Sequence, residues 1–222
     1  MLLSKNSKLL FTGDSVTDCG RDRHGYPGTT ESLGAGYPNL ISAALTAIYP
    51  ELTVMVQNTG VSGDTTNQLV DRWDKDVIDY HPNFTSILIG VNDVWRHFDA
   101  PFYHPTDLVF SEQYRENYQL LIEKSKADSE KILIISPFMF EANHEEPMRK
   151  MVDQYRMIAK DLAEKNDLIY VDVQSRVDDY LKNQSSYILS VDRVHPNIKG
   201  HMLVASIILN ALEFDWQHQL ND

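Results

Sequence analysis

Hydrophobic positions along this chain fall into two alternating kinds of run. Short blocks rich in Ile, Leu and Val occupy residues 8–12, 52–57, 85–90, 131–136 and 168–173. They show little polar alternation, as expected of strands covered on both faces. Between them, apolar residues recur every three or four positions. Leu40, Ile41, Ala44, Leu45 and Ile48 make one such stripe, and Leu69, Trp73, Val77 and Ile78 a second. Tyr114, Tyr118, Leu121 and Ile122 make a third, and Met148, Met151, Val152, Tyr155, Ile158 and Leu162 a fourth. Ile198, Met202, Ala205, Ile208, Leu209 and Leu212 make the last. Each stripe reads as a helix face turned to a core. Strand and helix alternate to the end of the chain. That order predicts an α/β fold, a parallel sheet with helices on both faces, as one domain over residues 1–222.

Two connections are long. Residues 95–111 carry Phe98, Phe102, Tyr103 and His104, and residues 137–147 carry Phe138, Phe140, Asn143 and His144. Long loops at the C-terminal ends of strands are where such sheets bind ligands.

Composition narrows the function. With 222 residues, 42% of them hydrophobic, the chain can bury one sizeable core. A formal net charge of -12 argues against a nucleic-acid partner or an anionic membrane. Cys19 is the only cysteine, so an intrachain disulfide is excluded. Lys5, Asn6 and Lys8 interrupt the apolar N-terminus before a signal-peptide core can form, which suits a cytoplasmic protein. The eight histidines include no H-x-x-x-H pair, so no metal is implied.

Four patches carry candidate chemistry. Gly13-Asp14-Ser15 follows the first strand block; Ser15 reads either as a nucleophile or, with Thr17 and Asp18, as a capping residue. A phosphate-cradling turn is a third reading of the same residues. Asn58-Thr59-Gly60-Val61-Ser62-Gly63 follows the second block, where Gly60 can offer a backbone N–H or simply turn the chain. Gly90-Val91-Asn92-Asp93 follows the third. The Asn92 amide is a neutral donor on a short arm, suited to an oxyanion, though Asn and Asp also favour turns. Asp192-Arg193-Val194-His195 precedes the last helical stripe. A carboxylate three residues before a histidine can fix its tautomer and leave Nε2 free as a base. Each patch alone has an ordinary structural explanation. Together they bring a nucleophile, an oriented base and oxyanion donors to one rim of a doubly wound sheet, as acyl transfer requires.

In that combination the chain resembles the SGNH hydrolases, also called GDSL-type esterases. The matching blocks are Gly-Asp-Ser at 13–15, Gly60 within NTGVSG, Gly-x-Asn-Asp at 90–93 and Asp-x-x-His at 192–195. Val16 stands where the family usually has Leu or Ile. The resemblance implies a flavodoxin-like α/β/α sandwich of five parallel strands in the order 2-1-3-4-5. It implies Ser15 as nucleophile, His195 as base, Asp192 as its orienter, and Ser15, Gly60 and Asn92 as oxyanion donors. The stretches GDSVTDCGRDR, GAGYPNLI, GVNDVWRHFDAPF, EEPMRK and DRVHPNIKGHMLVA are similar to the intracellular acetylxylan esterases of this superfamily. They imply a small acylated substrate, an acetylated xylo-oligosaccharide, no cofactor, and a homo-oligomer. Trp95, Phe98, Phe102 and Tyr103 are then candidates to stack on sugar rings, and Asp14, Asp18, Arg21 and Asp22 to reach sugar hydroxyls. A lysophospholipase or thioesterase, and a non-catalytic module holding an anion or flavin, are the competing readings.

Overall fold

The computed structural model describes residues 1–99 and 107–220. Its strands are β1 (Lys8–Gly13), β2 (Met55–Asn58), β3 (Phe84–Leu88), β4 (Lys131–Ile135) and β5 (Ile169–Val171). They form one sheet in the order β2-β1-β3-β4-β5, with every neighbouring pair parallel. Nine α-helices occur among the described residues. They are α1 (Ser15–Asp18), α2 (Thr30–Leu33), α3 (Tyr37–Ile48), α4 (Thr66–Asp76), α5 (Val91–Trp95), α6 (Ser111–Ser125), α7 (Pro147–Lys165), α8 (Val173–Leu181) and α9 (Ile198–Ala211). Among these residues no helix is long and apolar enough to cross a membrane.

The strands lack polar alternation because both faces are covered. Leu9 and Phe11 of β1, with Leu133 and Ile135 of β4, belong to a core shared with Ile41 of α3, Val177 of α8 and Val204 of α9. Leu10, Ile132 and Ile134 belong to the opposite core, with Trp73 of α4, Tyr118 of α6 and Val152 of α7. The two-residue period of a strand sorts these side chains into two layers, although all of them are apolar.

Several boundaries differ from the sequence expectation. The second strand begins at Met55, because Pro50–Leu52 forms a 3-10 turn and Thr53 adopts left-handed backbone (φ 46). The fifth strand ends at Val171, because Asp172 caps α8 by accepting from the Ser175 N–H. Helix α8 corresponds to none of the apolar stripes of the sequence. Asn92 and Asp93 lie on the short helix α5, capped by Gly90, rather than in a turn.

The rim that carries the site is fixed at the end of β1. Gly13 has φ 152, and a Cβ there would lie 2.0 Å from the Leu88 carbonyl oxygen of the adjacent β3. Only glycine lets β1 turn sharply into α1 at this point. Gly13→Ala is expected to cost about 3 kcal/mol or more, from backbone strain and overpacking together. Chemical denaturation would measure it; a loss under about 1 kcal/mol would show that the turn tolerates a side chain.

Candidate active site

Ser15 is the first residue of α1, and its cap is Asp14, whose Oδ1 accepts the Val16 N–H at 3.0 Å. The serine hydroxyl is therefore not used in capping. Ser15 Oγ lies 2.8 Å from His195 Nε2. His195 Nδ1 lies 2.6 Å from Asp192 Oδ2. The other carboxylate oxygen of Asp192 accepts the backbone N–H groups of His195 (2.8 Å) and Val194 (2.9 Å) and the Ser190 hydroxyl (3.0 Å). Partial burial alone would raise this carboxyl; the bonds from His195 and Val194 outweigh it and bring it down to about 2. Asp192 is thus ionised at neutral pH.

The loop carrying this pair is half-exposed and held from outside. Arg193 adopts left-handed backbone (φ 69), and its carbonyl accepts the Phe140 N–H at 2.7 Å. Its guanidinium pairs with Glu141 at 2.5 Å. After the loop, Asn197 caps α9 by accepting from the N–H groups of Lys199 and Gly200. Helix α9 packs against α3.

Neutral donors face the same place. One amide N–H of Asn92 is tied to the Asp64 carbonyl at 3.0 Å, which orients the side chain and leaves its second N–H for a ligand. The Gly60 N–H, expected as a donor, is already engaged in this structure. It donates to Asn58 Oδ1 at 2.9 Å, and a Cβ on Gly60 would lie 2.4 Å from the Asp18 nitrogen. Gly60 is packed under the loop as part of a local asparagine turn. Gly63, three residues on, lines the cavity with Ser15 and Asn92. Neither the Gly63 nor the Ser15 N–H has a hydrogen-bond partner among the described residues. Two glycines occur in NTGVSG, and the usable signal was Asn58, which stands at the right distance to consume the first.

The cavity encloses about 590 Å3. Ser15, Gly63, Asn92 and His195 converge on it, so a hydroxyl, its base and donors for a developing oxyanion share one solvent-accessible space. Such an arrangement can carry out acyl transfer. A model of the GDSL-like Lipase/Acylhydrolase family matches residues 11–203. The chain belongs to this family.

An acetylxylan esterase of Geobacillus stearothermophilus is 40% identical to this GDSL-like acylhydrolase over 216 residues, 97% of this chain and 98% of that protein. The crystal structure of Axe2, an acetylxylan esterase from the same organism, matches with a TM-score of 0.93 at 39% identity, covering 97% of this chain and 98% of the other. LAE5, an alpha/beta hydrolase enzyme from the metagenome of Lake Arreo, matches with a TM-score of 0.92 at 36% identity, covering 96% and 98%.

Other expected contacts of the acylhydrolase divide sharply. Trp95 lines the cavity, its ring centroid 5.6 Å from that of His195. Asp14 does not reach it: the carboxylate is buried beneath the turn, where capping holds it. Arg21 donates to the Gly60 carbonyl at 2.8 Å and lines a different groove. Phe98 is exposed and lies outside the cavity wall, and Asp18 is occupied by Ser62, accepting from its N–H and its hydroxyl. Phe102 and Tyr103 lie outside the described residues. Cys19, Ser62, Arg96, Pro196 and His201 also line the cavity and were not anticipated. His201 accepts the Tyr37 N–H on Nδ1, so its Nε2 carries the proton directed at Cys19 Sγ, 3.2 Å away. Burial and then the His195 charge lower His201 to about 4, so it is neutral when His195 acts as base. Among the described residues no group of three or more His, Cys, Asp and Glu is placed to hold a metal.

Two buried carboxyls beneath the rim give the acylhydrolase a pH-dependent stability. Asp14 is raised to about 7, first by burial, against the Val16 N–H bond and reinforced by the Asp93 and Asp64 charges. Asp93 is raised to about 6 by burial, against its bonds from Thr66. In the unfolded chain both titrate at about 3.9. Between the unfolded and folded values the native state keeps protons that the unfolded chain has released. Their contribution to stability is therefore full only below about 3.9, falls as pH rises from there, and is gone above about 6 to 7. Asp14→Asn keeps an acceptor for the Val16 N–H and removes one titration. Relative to wild type, this variant is expected to lose less stability between about pH 5 and pH 8, as read by thermal melts. Parallel curves for the two proteins would show that Asp14 ionises normally.

Proposed function

We propose that this chain is a serine esterase that removes acetyl groups from acetylated xylo-oligosaccharides through an acetyl-enzyme. The observation that carries the reading is the continuous contact from Ser15 Oγ through His195 to Asp192, opening on a cavity with unspent donors. The acetyl-sugar substrate draws on the 40% identity to the acetylxylan esterase.

In this mechanism Ser15 Oγ attacks the ester carbonyl carbon and its proton passes to His195 Nε2. Asp192 holds Nδ1–H and stabilises the imidazolium. The carbonyl oxygen becomes an oxyanion, received by the Ser15 and Gly63 N–H groups and the free amide N–H of Asn92. The carbon–oxygen bond to the sugar breaks, and the His195 proton goes to the departing sugar oxygen. A water then attacks acetyl-Ser15, giving its proton to His195. Acetate leaves, and the proton returns to Ser15 Oγ.

The same reading places the enzyme in the cytoplasm, where the free thiol of Cys19 is at home, and makes it a homo-oligomer. Tyr187, Val191 and Ile198, exposed around the catalytic loop, offer apolar surface for self-association. Light scattering in solution decides the assembly; a monomer at all concentrations would remove it.

Release of acetate from acetylated xylo-oligosaccharides, beside a series of aryl esters from acetate to dodecanoate, tests the function. Rates should be high on the oligosaccharide and drop steeply past short acyl chains. Ser15→Ala should lose on the order of 10⁴-fold or more in kcat, and Asn92→Ala on the order of 10²–10³-fold. Wild-type turnover by Ser15→Ala would overturn the mechanism. Equal rates on acetate and dodecanoate would overturn the acetyl preference and favour a lipid or thioester substrate.

A further inference from the structure

The loop after β2 has two sides. Ser62 and Gly63 face the Ser15 cavity, while Thr59 and Val61 face a second groove of about 610 Å3. The chain as a whole carries a net charge of -12, yet Arg21, Arg23, Arg72 and Lys75 converge on this groove against only Asp76 and Asp79. A local excess of cations in an acidic protein selects for anionic ligands.

The donors here are largely unspent. Arg72 is engaged on all sides, by Asp64, Asp76 and the carbonyls of Thr59 and Gly13. Arg21 differs: only its Nε is used, on the Gly60 carbonyl, and its two terminal nitrogens have no acceptor among the described residues. Arg23 reaches Asp18 at 3.4 Å. Lys75 makes no hydrogen bond or ion pair among the described residues. Partial burial, and after it the charges of Arg23 and Arg72, hold Arg21 below its usual pKa against the pull of Asp18 and Asp76. An anion placed between these cations relieves that crowding.

Two further atoms narrow the ligand. Gln57 Oε1 and the Tyr80 hydroxyl are buried in the groove wall without a hydrogen-bond partner among the described residues. Gln57 Oε1 can only accept, so it needs a donor that a bare carboxylate lacks. A sugar acid supplies both parts, a carboxylate for the arginine fork and hydroxyls for Gln57 and Tyr80.

We propose that this groove is a subsite for a uronic acid, a carboxylate-bearing sugar carried on the same oligosaccharide whose acetyl ester lies at Ser15. The inference rests on the acetylated-oligosaccharide reading above. Arg21 donates to the carbonyl of Gly60, three residues from Gly63, so a carboxylate docked on Arg21 lies across one loop from the reacting ester. An acidic branch near the ester would then be a recognised feature of the substrate.

The test compares kcat/KM on a neutral acetylated xylo-oligosaccharide with that on one bearing a glucuronate branch, for wild type and for Arg21→Gln/Lys75→Gln. Wild type should favour the acidic substrate by about tenfold, mainly through KM, as one good charge-assisted contact provides. The preference should vanish in high salt and in the double variant. A wild-type ratio near one, or a ratio that the double variant retains, overturns the proposal. Inactivity on both oligosaccharides, with aryl acetate still hydrolysed, would instead overturn the substrate reading. Calorimetry with free glucuronate, glucose and inorganic phosphate then decides the groove alone. Binding of glucuronate in preference to the other two, lost in the double variant, supports the subsite. Absence of glucuronate binding, or phosphate bound as tightly, overturns it.

Discussion

The guanidinium of Arg72 stands where the loops after β1 and β2 meet. It donates to the Gly13 carbonyl at 2.9 Å, immediately before Asp14-Ser15, and to the Thr59 carbonyl at 2.6 Å. It also binds the Asp64 carboxylate at 2.6 Å and Asp76 at 2.8 Å. The two backbone acceptors belong to the turn that aims Ser15 and to the loop that brings Gly63 to the cavity. A planar fork of five donors is the side chain that can hold both at fixed spacing. The Asp64 carbonyl in turn orients Asn92, so the third proposed oxyanion donor depends on the same fastening. Buried Asn58 adds a second tie, donating to the carbonyls of Thr17 and Leu33 while accepting from Gly60.

The proposed base, His195, arrives from the far end of the chain and needs its own support. Its loop is anchored by Val194, buried in the core beneath, and is held on its exposed side by polar contacts. Arg149, fully buried, binds Asp178 with both terminal nitrogens, at 2.8 and 2.9 Å, and also donates to the Glu141 carbonyl. The Glu141 side chain reaches Arg193, between Asp192 and His195. The result is a half-exposed imidazole whose loop is tied, through Glu141, to the Arg149–Asp178 ion pair. Preorganisation of this kind lets a half-open site keep a reactive geometry.

Some features of this architecture were written plainly in the chain. The five apolar blocks and the stripes of α3, α4, α6, α7 and α9 identified the layers, because burial on both faces forces continuous apolar strands and 3.6-residue helix faces. Gly13, Ser15, Asn92, Asp192 and His195 were legible because chemistry demands those side chains next to strand ends. Helix α8 was missed, since Asp172 caps it immediately after a three-residue strand and leaves no loop between them.

What the sequence determined by itself was the class of fold and the candidates for the reacting groups, since both follow from local periodicity and residue type. The tertiary structure decided which groups meet. Gly60 and Gly63 are equivalent as residues, and only the competing Asn58 amide separates a spent N–H from a free one. Asp14 and Arg21 are both charged and close to Ser15 in the chain. One is turned under the rim by a capping bond and the other across a loop into a separate cationic groove. Direction of approach is a three-dimensional quantity, fixed by packing between segments far apart in the chain, and no local pattern encodes it.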